Sequence, residues 1–166
     1  MNDMRIAPAA SPAADTPDLI DLLKRLMGAG PMDVLTVRQI IEPQAAAAAV
    51  SNGSGADLQA IREAHEAAAA EATLEGFERW DAVLHGRIFA ASRNELLINL
   101  HEILSVVRTK PAWLKIKYAM VNDAIREKYC REHGAIVSAI TMRNAQAAHE
   151  AMKRHLTSVS RDMFPV

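Results

Sequence analysis

The sequence predicts an all-α fold, and three observations carry that reading. Half of the 166 residues are apolar, yet only 4% are aromatic; much of the rest is alanine, the best helix former. Only three of the seven glycines and two of the seven prolines lie beyond residue 55. No stretch of useful length alternates apolar and polar residues as a half-buried strand does, and no solenoid-length repeat is present.

The elements follow in order. Residues 1–17, rich in Ala and Pro, are expected to form a disordered tail or linker remnant, leaving 18–163 as one helical domain. Thr16-Pro17-Asp18 opens a short helix with an apolar stripe of Leu19, Leu22, Leu23, Leu26 and Met27, which Gly28-Ala29-Gly30-Pro31 ends. The next helix spans about 33–50, and Pro43 inside it predicts a kink or local break. Ser51 to Gly55 is a loop, and 56–72 an amphipathic helix with a small-residue face. Residues 75–92 form a helix with Phe77, Trp80, Leu84, Ile88 and Phe89 as its apolar set. Asn94 caps a helix running to about Lys110, and Pro111 suits the first turn of another. Two further helices, about 123–142 and 145–163, meet at Arg143-Asn144, with Asn144 as the second cap.

Bulk properties exclude several classes. A net charge of -1 gives no global basic field for nucleic acid. A single cysteine, Cys130, rules out an internal disulfide, and we expect a buried reduced thiol. The N-terminus lacks the pattern of a signal peptide, and no apolar run is long enough to cross a bilayer, so a cytoplasmic, soluble protein is expected.

Chemistry is concentrated in four residues. Asp81 and His85 are four apart, one helical turn on one face. His133 and His155 each lie eleven residues from Asn144, so a helical hairpin turning there brings them to the same height. One carboxylate and three imidazoles meeting inside a bundle make a transition-metal site that suits Zn, Ni, Fe, Co or Mn, with Zn placed first. Structural zinc sites are instead closed and rich in cysteine.

These pieces resemble a known family. Arg38-Gln39-Ile40-Ile41-Glu42-Pro43 precedes the Ala45–Ala49 run; Asp81-Ala82-Val83-Leu84-His85 and Ala91-Ser92-Arg93-Asn94 come next. His133-Gly134-Ala135-Ile136, Ala139-Ile140 and the stretch from Ala148 through Met152 to His155-Leu156 complete the set. In order and spacing, residues 33–159 resemble the C-terminal effector-binding (FCD) domain of the FadR subfamily of GntR transcriptional regulators. The resemblance implies an antiparallel bundle of six to seven helices around a central cavity, and a homodimer. It also implies a divalent metal on Asp81, His85, His133 and His155, and a small organic acid bound to that metal. Arg38 occupies the position of an arginine that neutralises the acid. Such regulators bind DNA through an N-terminal winged helix-turn-helix, for which the 32 residues before the match are too few, so a truncated or stand-alone sensor is expected. Leu84 stands where the family often has Phe, a change of packing only.

Each remaining candidate has a plainer alternative. Arg38 can clamp a carboxylate through two parallel donors, or pair with Glu42 at i,i+4 on the surface. Asn94 lines the ligand pocket or caps its helix. Arg87 and Arg108 are expected on a solvated face, and His65, His101 and His149 on helix surfaces. A metal-dependent enzyme is the competing function. No His-Glu-x-x-His, Glu-x-x-His or His-Asp motif supports it, and no spare carboxylate stands out as a base. A metal-free helical dimerisation module is the third reading, resting on the small-residue stretches 45–50 and 64–72.

Overall fold

The computed structural model describes residues 18–165, so the expected tail at 1–17 lies outside the described residues. Within them the chain forms α1 (Leu19–Met27), α2 (Pro31–Asn52), α3 (Gly55–Ala70), α4 (Leu74–Ala91), α5 (Glu95–Arg108), α6 (Pro111–Met120), α7 (Asp123–Thr141) and α8 (Ala145–Met163). There is no strand among the described residues, and the all-α reading stands. The eight helices exceed the six to seven that the resemblance implies and agree with the element-by-element reading, in which the short α1 and α6 are already separate.

Capping explains most boundaries. Ser54, Thr73, Asn94, Asn122 and Asn144 each accept a backbone amide from the first turn of α3, α4, α5, α7 and α8 respectively. The α4–α5 and α7–α8 turns share one device, an arginine in left-handed backbone followed by the capping asparagine. Arg93 has φ 54° and Arg143 φ 56°. A residue with a Cβ pays strain there, and here each side chain gains an anchor at the end of α2, the start of α3 or the turn between them. Arg93 pairs with Asp57, while Arg143 Nη1 donates to the carbonyls of Val50 and Gly53 at 2.6 and 2.9 Å.

Pro43 does not break α2, so of the two expectations, a kink or a local break, the break is not realised. The helix runs unbroken through it, and Pro43, Ala45, Ala46 and Ala49 are all buried. A missing N–H and a crowded carbonyl weaken an interior helix by about 3 kcal/mol. Burial of Ala46 and Ala49 in a cluster shared with α3, α4, α7 and α8 offsets that loss. The second small-residue stretch, 64–72, contributes Ala64 to the cluster of Ala46 and Ala49, and α8 adds Ala148 and Ala151.

The interior consists of two apolar clusters. One joins Ala46, Ala49, Ile61, Leu84, Ile88, Ile136, Met152 and Leu156. The other joins Val34, Leu35, Phe77, Trp113, Tyr129, Val159 and Met163. Each of four helices passes from one cluster to the other through ionisable residues: Arg38 and Glu42 on α2, Asp81 and His85 on α4, His133 on α7 and His155 on α8. A polar layer therefore crosses the middle of the bundle.

Gly53 tests the packing that sets the hinge between α2 and α3. A Cβ there would stand 2.6 Å from the Ala49 carbonyl oxygen and 2.9 Å from Leu58 Cδ1. Gly53→Ala is expected to lower unfolding stability by about 1–3 kcal/mol, read by urea denaturation. No change in midpoint would show that the connection relaxes freely.

Candidate metal centre

Asp81 and His85 sit one turn apart on the inward face of α4, and His133 and His155 project from α7 and α8, which turn back at Asn144. All four are buried, and each offers one ligand atom within 4.8 Å of the others. His133 Nε2 lies 3.3 Å from Asp81 Oδ1 and 3.1 Å from His155 Nε2, and His85 Nε2 lies 3.7 Å from Asp81 Oδ1.

Outer carboxylates orient two of the rings. His85 Nδ1 donates to Glu42 Oε2 at 2.5 Å, and His155 Nδ1 to Glu132 Oε2 at 2.8 Å. A proton on Nδ1 leaves the Nε2 lone pair of each ring aimed at the cluster, the arrangement that steadies metal-bound histidines. His85 Nε2 is buried with no hydrogen-bond partner among the described residues. Two imidazole nitrogens 3.1 Å apart share at most one proton well. A cation would engage all of these lone pairs, so the donor set fits a transition metal.

Electrostatics prepare the same states. Burial opposes ionisation of Asp81, but Lys117, His85 and Arg108 outweigh it and hold the carboxyl well below the usual range. Burial, reinforced by His155, pushes His133 well below the ordinary histidine value, and burial lowers His155 too. An ionised carboxylate beside neutral imidazoles is the protonation state a metal requires.

Arg38 is in the layer but not on the surface, where its pairing with Glu42 was expected to lie. It is 2% exposed, and its Nε donates to Glu42 Oε1 at 2.5 Å. Burial disfavours the charge on Glu42, but Arg38 and His85 override it and hold its carboxyl well below the usual range. Arg38, Glu42 and His85 thus form one chain, and the guanidinium is engaged by the protein itself. Asn94 is not brought to the cluster; it is exposed, and its Oδ1 accepts from the amides of Leu96 and Leu97.

Several expectations are corrected. Arg108 is not solvated: it is buried, its Nη2 donates to Asp81 Oδ2 at 2.9 Å, and its guanidinium lies over Trp113. Arg87 is exposed as expected. His101 is buried rather than superficial, stacks on Phe89 and contacts Ser105. His65 and His149 are partly buried. Cys130 is a half-buried free thiol outside the cluster.

The roles of Glu42 toward His85 and of Glu132 toward His155 were not foreseen. Glu132 carries no signal, because it serves a ring on the next helix.

Residues 33–158 match the FCD domain family. The chain is 26% identical over 140 residues to the Uxu operon transcriptional regulator of Escherichia coli K12, covering 82% of this chain and 54% of that protein. It is 33% identical over 133 residues to the HTH-type transcriptional regulator LutR of Bacillus subtilis, covering 76% of this chain and 58% of that protein. Among solved structures, Escherichia coli McbR/YncC superimposes with a TM-score of 0.69 at 16% identity, covering 80% of this chain and 63% of that one. The chain thus spans about half the length of the curated relatives it matches, and those relatives are regulators rather than enzymes.

Two outcomes follow from the layer. Arg38→Met strands the buried Glu42 carboxylate and is expected to lower stability by about 3–5 kcal/mol in urea unfolding at neutral pH. The double variant Arg38→Met/Glu42→Gln should recover most of that loss; equal loss in both would show that the pair is not the cause. For His101, burial lowers the folded pKa to about 4 from the ordinary 6.5. The unfolded chain then binds the extra proton between those values, so the contribution is full above 6.5 and is lost as pH falls toward 4. His101→Phe should flatten the decline in stability over that window by up to about 3 kcal/mol, measured as unfolding free energy against pH. An unchanged slope would count against a neutral buried ring.

From the fold, the four-residue cluster and the match over most of its length, this chain belongs to the FCD domain family.

Proposed function

We propose that residues 18–163 are the ligand-sensing domain of a GntR/FadR-type transcriptional regulator, built around a divalent metal on Asp81, His85, His133 and His155. The observation that carries this reading is the buried convergence of one carboxylate oxygen and three imidazole nitrogens, with Glu42 and Glu132 behind two of the rings. Zinc is the first candidate; Ni, Fe, Co and Mn suit the same donors. Such an ion, when bound, supplies a Lewis-acidic anchor for the carboxylate of a small organic acid.

The residues of the chain supply the rest. Asp81 and Arg108 balance charge at the layer, Glu42 and Glu132 fix ring orientation, and the apolar clusters above and below exclude water. Effector binding would shift the arrangement of a homodimer, and through it the DNA affinity of a winged helix-turn-helix module outside this stretch. Asn94 takes no part in this reading, because its side chain is committed to the α5 cap.

The purified chain should carry about one transition metal per molecule by plasma mass spectrometry, and His85→Ala/His133→Ala close to none. Arg38→Met/Glu42→Gln, which strands no buried charge, should weaken zinc binding by about 10–100-fold through loss of the Glu42 carboxylate behind His85. Absence of metal in the unaltered chain after Zn, Ni and Mn have been offered would exclude the metal-anchored sensor and favour a metal-free helical module.

A further inference from the structure

The four candidate ligands are sealed. None of Asp81, His85, His133 and His155 is more than 3% exposed, so an ion reaches them only where a wall of the bundle opens. Most walls are held twice over: α2, α3, α4, α7 and α8 each place side chains in both apolar clusters. The helix α6 differs. It is ten residues long, buries only Trp113 and Lys117, and adds nothing to the alanine-rich cluster among the described residues. Its first turn follows Lys110 and lacks the side-chain cap that begins α3, α4, α5, α7 and α8.

Charge does much of the work of holding α6 down, and it acts on the Asp81 side of the centre. Lys117 is buried, and its Nζ lies 2.6 Å from Glu78 Oε2. Glu78 stands three residues before Asp81 on α4. Against burial, Lys117 is the foremost of the charges that keep Asp81 ionised. Trp113 lies against the guanidinium of Arg108, whose Nη2 donates to Asp81 Oδ2. A helix of this length is marginal in water once its packing is lost, so release of these two side chains and unwinding are one event. That event also takes Lys117 away from α4. Glu75, Glu78 and Asp81 are then left at intervals of three residues, from the exposed first turn of α4 inward toward His85. A row of carboxylates without its lysine attracts a cation more strongly than the same row beneath it.

We propose that α6 is the gate of the metal centre: residues 109–122 unfold locally to uncover Glu75, Glu78 and Asp81 as the path of a cation to the imidazoles, and α6 closes again through Lys117 and Trp113. The gate rests on the metal reading above, and its test separates the two.

Two rates are measured on the full chain: amide hydrogen exchange, resolved by peptide in a mass spectrometer, and zinc loss to excess EDTA. Amides of α6 should exchange at least about 10-fold faster than those of α7 and α8. Lys115→Gly/Ala119→Gly alters two exposed positions of α6 and touches no buried group. It should speed α6 exchange and zinc loss together by about 10-fold. Lys110→Asp supplies the missing cap and should slow both by about 3- to 10-fold. Gly53→Ala, which strains the α2–α3 connection instead, should move neither. Zinc that is bound, yet lost at a rate neither α6 variant changes, overturns the gate and leaves the metal centre standing. Exchange in α6 as slow as in α8 does the same. A chain that takes up no zinc overturns the metal reading and the gate with it.

Discussion

Arg38, Glu42, Asp81 and Arg108 carry charge in the interior of a helical bundle, where a lone charge is prohibitively unstable. Each is stabilised by partners in or beside the same layer: Arg38 by Glu42, Glu42 also by His85, Asp81 by Arg108 and Lys117. The partners sit on α2, α4 and α5, and Glu132 and His155 extend the same layer to α7 and α8. Sliding any one of these helices by a turn would leave an ion unpaired. Apolar packing through alanines tolerates many registers, whereas this layer tolerates one. The two apolar clusters and the helix lengths can be understood as what fits above and below it.

The same constraint shapes the chemistry. A bundle this size has few ways to present neutral imidazoles and an ionised carboxylate at one point, because burial favours the neutral ring and opposes the charged carboxyl. Here burial keeps His133 and His155 neutral, while Lys117, His85 and Arg108 keep Asp81 ionised. A layer that touches five helices is also well placed to pass on an event at its centre. Anything that redistributes charge at Asp81 is met by α5 through Arg108, and anything that tilts the ring of His85 is met by α2 through Glu42. That is the physical content of a sensor: two sites whose binding energies are linked through a shared element.

Much of this was legible in the sequence, and the reasons differ by element. Helix boundaries were readable because Asn94 and Asn144 announce first turns and Pro111 suits one. The grouping of Asp81, His85, His133 and His155 was readable because two helical spacings, one within α4 and one across the α7–α8 turn, point to a common height. At Pro43 local propensity allows a break, and the burial of neighbouring alanines keeps the helix continuous. Glu42, Glu132, Arg108 and His101 were the harder cases. A charged or titratable residue in a helix is ordinarily solvated, and only the tertiary partner shows otherwise. Glu132 reaches His155 across a helix pair, a relation that no single-helix periodicity contains.

The most direct measurement is zinc-edge X-ray absorption on the zinc-loaded chain. The account predicts a shell of nitrogen and oxygen scatterers alone at about 2.0–2.2 Å, with the outer-shell scattering of several imidazoles. A sulfur shell at about 2.3 Å, placing the metal on Cys130, would contradict it. So would a shell without imidazole scattering, which would leave the buried layer a structural lock and nothing more.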